Sequence, residues 1–211
     1  MKNDIKQEAY VLKWDLDHLG DDEFDARLME FSGWKNVGAL ASTKDYTLPE
    51  NIYFEANFRT LKKISYPYNS IRWPIMSKKM LKILLSVGTF PHRTIPITMI
   101  NDTVMTLDRY DQKGNYKTEV LNNNYVAIQL LESLDVIDFN KSKVERDEDY
   151  PQYIDFIEKL VLKVLPEGLP PLFRIQNYFV PLFISGEARE AVEAANLQEG
   201  IKFIPLDEYR G

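Results

Sequence analysis

One stretch of sequence determines how the rest of the chain is interpreted. It covers residues 172–206 and reads LFRIQNYFVPLFISGEAREAVEAANLQEGIKFIPL. Its first half predicts two adjacent strands, because runs rich in Phe, Val and Ile flank a Gln-Asn turn. Ser185 then stands where a helix N-cap is expected, and small apolar residues recur behind it at helical spacing until Asn196 and Gly200. IKFIPL (201–206) predicts another strand, so the helix is expected to lie with its small-residue face flat on the sheet.

The same order of elements occurs earlier in the chain. WPIMS (73–77) corresponds to VPLFIS (180–185), and Ser77 again precedes an amphipathic helix, KKMLKILLSV, which Gly88 ends. A strand containing IPI (95–97) follows. Two interpretations stay open: chance, because strand-to-helix joints often begin with Ser, or a structural pseudo-repeat. We predict an α+β fold with mixed sheets and two similar strand–Ser-capped helix–strand units packed on sheet faces.

The N-terminal region predicts a strand and a short helix. Apolar and polar residues alternate over 9–17, which is typical of a half-buried strand. Phe24, Leu28 and Phe31 follow helical spacing, so a helix is expected to begin at Asp21 or Asp22 and to end at Gly33.

Four later segments complete the expected fold. TVMTLDRY (103–110) predicts a hairpin strand with its turn at 111–115, and YVAIQLL (125–131) predicts a central strand. The charged segment 141–150 is the expected connector and domain boundary. Residues 154–165 fit both helical and strand spacing, and we favour a short helical lead with a strand from about Lys159.

Composition indicates a packed globular protein without cysteine chemistry. The chain has 211 residues, of which 45% are hydrophobic and 12% aromatic, so we expect one domain over 1–211, with possible halves 1–140 and 150–211. With no cysteine, disulfides and thiolate ligands are excluded. The start, MKNDIKQEAY, has no apolar signal region, and no stretch approaches the length of a membrane span. We expect a cytoplasmic protein that does not bind membranes.

Basic residues are concentrated in one stretch of this acidic chain. The net charge is −6, yet residues 56–101 contain no acidic residue. Their basic residues are Arg59, Lys62, Lys63, Arg72, Lys78, Lys79, Lys82 and Arg93. Tyr66, Tyr68 and Trp73 lie among them, a mixture that can bind phosphates and stack bases. An anionic-ligand or nucleic-acid binding module is therefore the alternative function, although an acidic chain repels a polyanion elsewhere on its surface.

Acidic residues are concentrated near the N-terminus, where they resemble a calcium loop only in part. DLDHLG (15–20) has Gly in sixth place, but Leu19 and Ala26 occupy positions that calcium binding needs to be oxygen ligands. We expect no catalytic residue, metal or cofactor. The segment is instead the candidate partner-binding surface, with Trp14, Phe24 or Trp34 as possible anchors. The residues expected to contact the partner are Asp15, Asp17, Asp21, Asp22, Glu23, Asp25 and Trp14.

The chain also resembles a family: immunity proteins of bacterial polymorphic-toxin systems, long classified as domain of unknown function 1629. The first part of the resemblance is WPIMSKKML (73–81), and the second is Asn124-Tyr125 followed by acidic residues and Ser142. The third runs from PLFRI (171–175) through Ile184-Ser185 to GIKF (200–203). Together they cover most of residues 70–206.

The resemblance implies a protein that acts by binding. Members are cytosolic antidotes encoded beside a toxin, often a nuclease, and no catalytic motif transfers to this chain. The resemblance also implies that Phe173 is a core strand residue and that Ser77 and Ser185 are caps. We therefore expect an immunity protein for bacterial competition that binds the C-terminal domain of a cognate toxin and occludes its active site.

Overall fold

The computed structural model describes residues 7–20, 22–29, 40 and 48–211. The strands in this part of the chain are β1 Ala9–Trp14, β2 Ala26–Leu28, β3 Tyr53–Ala56, β4 Ile75–Ser77, β5 His92–Pro96, β6 Thr98–Asn101, β7 Leu121–Asn122, β8 Tyr125–Leu130, β9 Lys143–Arg146, β10 Ile154–Lys159, β11 Leu172–Ile175, β12 Tyr178–Ser185 and β13 Ile201–Pro205. The α-helices are α1 Phe58–Leu61, α2 Lys78–Val87 and α3 Gly186–Ala194, and short 3-10 helices span Thr106–Arg109 and Thr118–Val120. None of the described helices has the length and apolar character needed to cross a bilayer. The α+β prediction is confirmed.

The two predicted units are present, and each encloses a strand from elsewhere in the chain. In the four-stranded sheet, ordered β11-β12-β1-β13, β1 is antiparallel to both β12 and β13. In the three-stranded sheet, ordered β4-β8-β5, β8 is antiparallel to both β4 and β5. The strands before and after each Ser-capped helix are therefore parallel to each other, and the helix is the crossover between them.

Each helix begins at the predicted serine. Ser77 Oγ accepts a hydrogen bond from the backbone N–H of Met80 at 3.1 Å, and Ser185 Oγ accepts one from Ala188 at 3.3 Å. Both serines have extended backbone, which is the usual N-cap conformation. Each cap satisfies a helix N–H that would otherwise lack a partner, a contribution of about 1 kcal/mol.

The two helices meet in a central core between the two sheets. Its fully buried members include Met80 and Leu84 of α2, Ala188 and Val192 of α3, Met76 and Ile128 of the three-stranded sheet, and Ile184 of β12. Ala188 and Val192 of the small-residue face of α3 are fully buried in this core, so that face is buried as expected. The two units are therefore joined through one core.

Two outer cores cover the remaining sheet faces. One lies between the three-stranded sheet and a second four-stranded sheet, β2-β3-β6-β7, and contains Phe54 and Trp73 with ring centroids 6.3 Å apart. The other, which we call the third core, covers the outer face of the four-stranded sheet that contains β1, and in it Phe173 and Phe183 stack at 5.4 Å. Phe173 is a buried strand residue, as the resemblance implied. The sheets are thus layered with three cores around and between them.

The predicted helix from Asp21 or Asp22 to Gly33 is wrong where it can be checked. Residues 26–28 form β2, which is antiparallel to β3. Pairing with β3 supplies the backbone hydrogen bonds that a helix would otherwise make, so tertiary context overrides the three-residue apolar spacing. Residues 30–33 of that prediction lie outside the described residues.

The predicted helical lead and the predicted strand from about Lys159 are also wrong, because the strand occupies the place of the helix and ends at Lys159. Residues 154–159 form β10, paired with β9 inside the charged connector, and Lys143 and Glu158 form an ion pair at 2.9 Å across the two strands. The register shifts twice along this pair, so Ile154 and Ile157 are buried three residues apart. Such bulges make a strand carry apparently helical spacing.

The predicted turn at 111–115 is present, but its leading strand is not. The N–H of Asp111 donates to the carbonyl oxygen of Asn115 at 2.8 Å, and a single bridge joins Tyr110 to Tyr116. Residues 106–109 form a 3-10 helix instead. The guanidinium of Arg109 donates to the carbonyl oxygens of Asp102 and Val104. These hydrogen bonds hold the end of the segment close to its beginning.

Candidate functional site

The acidic segment lies at one edge of the β2-β3-β6-β7 sheet. In the strand pairing, Ala26 of β2 lies opposite Ala56 of β3, which in turn lies opposite Asn101 of β6. The three strands end here, and the next residue beyond each strand is Asp25, Asn57 or Asp102. They line a cleft of about 90 Å³, the acidic cleft. Its walls are His18, Leu19, Asp22, Phe24, Asp25, Asn57, Thr60 and Asp102.

Asp25 holds the acidic segment in place. Its side chain is buried, one carboxylate oxygen lies 2.8 Å from His18 Nε2, and the other accepts the backbone N–H of Tyr68 at 2.8 Å. Removing a buried carboxylate with such partners would destabilise the protein, because the groups around it would lose their hydrogen bonds. Asp25 therefore positions the segment, and its carboxylate is not free to meet a partner.

Asp15 and Asp17 share one lysine. Lys202 Nζ lies 2.8 Å from Asp15 and 3.0 Å from Asp17. The hydrogen bond from Lys202 is the largest cause that lowers the pKa of the Asp15 carboxyl. The side chain of Asp17 nevertheless stays 84% exposed. The lysine thus ties the segment to β13, while Asp17 still faces solvent.

The predicted anchor Trp14 packs within the protein. Its ring stacks on Tyr66, with centroids 5.3 Å apart and 9° between planes, and it also contacts Tyr68 at 5.2 Å. Phe24 contacts the same Tyr68 at 5.3 Å. Both rings are half-buried, so they pack beneath the surface and support the acidic segment. Trp34 lies outside the described residues.

In the described part of the acidic segment, the exposed carboxylates are those of Asp17, Asp22 and Glu23. Asp22 is exposed, and Glu23 is 70% exposed in a loose ion pair with Arg27 at 3.3 Å. Such exposed pairs contribute little to stability and are easily exchanged for others. Asp21 lies outside the described residues. The six predicted residues that the structure describes thus divide into three supports, Asp15, Asp25 and Trp14, and three exposed carboxylates.

Asp102 adds a carboxylate that the sequence prediction missed. Solvent reaches Asp102, but the cleft walls remove part of its hydration, and this desolvation is the largest cause that raises the pKa of its carboxyl. The negative charges of Glu55 and Asp22 raise it further. Like charges around one small cleft disfavour ionisation, so a cation entering the cleft would relieve the repulsion. The available signal was a carboxylate two residues after the apolar pair Met99-Ile100.

Replacing Asp102 with asparagine is expected to stabilise the protein at neutral pH by about 0.5 kcal/mol, a value reduced for solvent screening. A raised pKa means that the folded state binds the proton more tightly than the unfolded state does. The carboxylate therefore costs stability above its folded pKa, and the cost disappears as pH falls below the ordinary value of 3.8. Urea unfolding of both proteins over this range should give curves that converge at acidic pH.

Asp111→Asn is the matched control and should behave with the opposite sign. The backbone N–H of Asn115 is the largest cause that lowers the pKa of the Asp111 carboxyl. Its charge therefore stabilises the folded state at neutral pH, and that stabilisation is lost as pH falls. A destabilising effect of Asp102→Asn at neutral pH would contradict the repulsion inferred for the acidic cleft.

The basic stretch forms an exposed surface of its own. Its exposed cations, none of which forms an ion pair with another described residue, are Arg59, Lys62, Lys63, Arg72, Lys78, Lys79 and Lys82. Arg93 instead donates to the buried Gln129 at 2.7 Å. The carbonyl oxygen of Ser65 accepts from the N–H of Ser77, so the segment after α1 lies beside the start of α2. This surface is available to an anion.

Other sites are less developed in the described part of the chain. A cavity of about 200 Å³ beside the third core is lined by Phe139, Arg146 and Asn177 among others, and the Arg146 guanidinium covers the Phe139 ring at 5.2 Å. No group of three or more His, Cys, Asp or Glu residues suited to a metal occurs among the described residues.

Comparison with known proteins leaves the site to be interpreted from its own residues. No family model matches the chain, and no curated protein sequence matches it.

Proposed function

We propose that this chain is an immunity protein that binds the C-terminal domain of a cognate toxin and blocks its active site. The observation that carries the proposal is the exposed carboxylate set of Asp17, Asp22 and Glu23, of which Asp22 lines the acidic cleft together with Asp102. A nuclease needs a basic surface to hold its nucleic acid, and an acidic surface is the electrostatic complement of such a site. Occlusion requires no catalytic residue on this chain.

The way in which the carboxylates are held supports the proposal. Asp25 is fixed by His18 and the Tyr68 N–H, and Lys202 ties Asp15 and Asp17 to β13. A preorganised surface loses less conformational entropy on binding, so more of the interaction free energy remains as affinity. Long-range attraction from exposed carboxylates also speeds encounter with a basic partner. Both properties suit an antidote that must capture its toxin in the cytoplasm before the toxin acts.

Co-expression and affinity measurement test the proposal. The probe is the C-terminal domain encoded by the reading frame upstream of this one. The protein without substitutions should protect cells from that domain and bind it stoichiometrically. Reversing Asp17, Asp22 and Glu23 to lysine should slow association at low salt by about tenfold or more, because surface charges act mainly on the association rate. Asp25 stays unchanged in this variant, since its buried carboxylate supports the fold.

A matched reversal elsewhere is the control. Glu145, Glu148 and Asp155 are exposed on or beside the β9-β10 pair, which packs against the third core. Reversing them to lysine changes the net charge by the same amount and should leave association nearly unaltered. A toxin domain that kills cells equally with and without the untouched protein would overturn the proposed function. If both reversals slowed association equally, the acidic segment would not be the contact surface.

The exposed basic surface favours a second candidate function, binding of an anionic ligand or nucleic acid. The seven exposed cations around α1 and α2 form no ion pair with another described residue and would release counterions from a polyanion, so binding should weaken steeply as salt rises. Fluorescence polarisation with short labelled oligonucleotides measures this directly. A flat signal at low salt would remove the candidate.

A further inference from the structure

The loop Asp102–Arg109, which follows β6, exposes two large apolar side chains. Met105 is 73% exposed and Leu107 is 87% exposed. Exposed loops are usually polar, and single apolar residues on a surface need no explanation. Two of them occur on one short loop whose first residue, Asp102, lines the acidic cleft, and we call these two side chains the apolar tip.

The loop that carries the apolar tip is held by a buried arginine. Arg109 is only 7% exposed, its Nη1 binds the Glu55 carboxylate, and its Nε donates to the Val104 carbonyl oxygen at 2.8 Å. Its Nη2 also donates to the Asp102 carbonyl oxygen at 3.3 Å. A buried guanidinium that binds the loop backbone at two points keeps the loop in one conformation. The apolar tip is therefore presented on a preorganised support.

Charge around the apolar tip indicates what could cover it. Asp102 begins the loop and lines the acidic cleft together with Asp22, while Asp108 is exposed between Leu107 and Arg109. Apolar side chains bordered by carboxylates fit an apolar depression bordered by basic groups. The active-site region of a nucleic-acid-cleaving domain has the basic border that this arrangement needs.

We propose that Met105 and Leu107 form the apolar centre of the toxin-binding surface, with Asp22, Asp102 and Asp108 as its charged border. This inference rests on the proposed function and adds to it the residues that hold the complex together. Charges on the border accelerate encounter, while burial of apolar side chains slows dissociation. The two groups of residues should therefore act on different rate constants.

The test compares Met105→Ser/Leu107→Ser with Val164→Ser by surface plasmon resonance against the C-terminal toxin domain. Val164 is 73% exposed, as Met105 is, and it lies beside Lys163, whose N–H bonds to Val136 in the third core. The double variant should dissociate at least about thirtyfold faster with little change in association, as expected for central apolar contacts. Val164→Ser should bind like the unchanged protein. All replaced side chains are exposed, so thermal melting should confirm intact folding.

The outcomes separate the inference from the proposed function. Tight binding by both the unchanged protein and the double variant would overturn the apolar centre and leave the proposed function standing. Failure of the unchanged protein to bind or protect would overturn both. A second copy of this chain is the competing occupant of the apolar tip. A dimer in solution that becomes a monomer in the double variant would assign the surface to self-association and overturn the inference.

Discussion

Replacing Phe183 with alanine is expected to lower the free energy of unfolding by about 4 kcal/mol. Phe183 is fully buried, stacks on Phe173 at 5.4 Å and meets the Tyr209 ring edge-on at 6.5 Å. Its backbone pairs with Val11 of β1, so the side chain packs where the N-terminal strand joins the C-terminal unit. The lost free energy has two parts: the transfer free energy of the removed ring, and the cost of the cavity that the surrounding side chains cannot fill.

Urea unfolding followed by circular dichroism measures this effect. The control is Phe156→Ala on β10, because Phe156 is 38% exposed and its removal leaves no closed cavity. That substitution should cost less than about 1 kcal/mol. A similar cost for both substitutions would mean that the third core is not closely packed around Phe183.

Replacing Arg109 with alanine is expected to destabilise the protein by about 3 kcal/mol, as for a broken buried ion pair. The substitution removes the bonds to Val104 and Asp102 and leaves the Glu55 carboxylate without its cation. The first loss frees the loop, and the second leaves a partly buried charge close to Asp102. Hydrogen exchange should therefore increase over 102–109 before the rest of the β2-β3-β6-β7 sheet opens.

Two further variants separate these causes. Arg109→Ala/Glu55→Gln removes the uncompensated charge and should recover part of the lost stability, whereas the loop should stay as mobile as in the single variant. Arg27→Ala removes an exposed cation that pairs with Glu23 and should cost less than about 1 kcal/mol. Unchanged exchange over 102–109 in Arg109→Ala would contradict the role of Arg109 in holding the apolar tip.

The acidic segment shows how far sequence reasoning reached into the candidate site. Six carboxylates without an intervening base were visible in the sequence, but their environments were not. Asp25 is buried against His18, and Asp15 is bound by Lys202, which is far away along the chain. Since desolvation and partners depend on neighbours in space, the sequence could not separate supporting carboxylates from exposed ones.

Asp102 and the apolar tip escaped prediction for a related reason. Asp102 reaches the acidic cleft because β3 and β6 are parallel neighbours whose carboxyl ends meet at one edge. The segment around Met105 and Leu107 was interpreted as a hairpin strand, but it forms a 3-10 helix with the buried Arg109 side chain bonded to the Val104 carbonyl oxygen. Neither the strand pairing nor the burial of Arg109 has a local sequence signature.

The sequence by itself determined the two strand–helix–strand units. Ser77 and Ser185 can cap because their hydroxyls bond to an N–H three residues on, and helix amphipathicity repeats every three to four residues, so both signals are local. Only the tertiary structure decided that β8 and β1 lie between the parallel strands of these units and that α2 packs on α3. Strands distant in the chain are selected by burial of complementary faces, a property of the whole packed molecule that no short stretch carries.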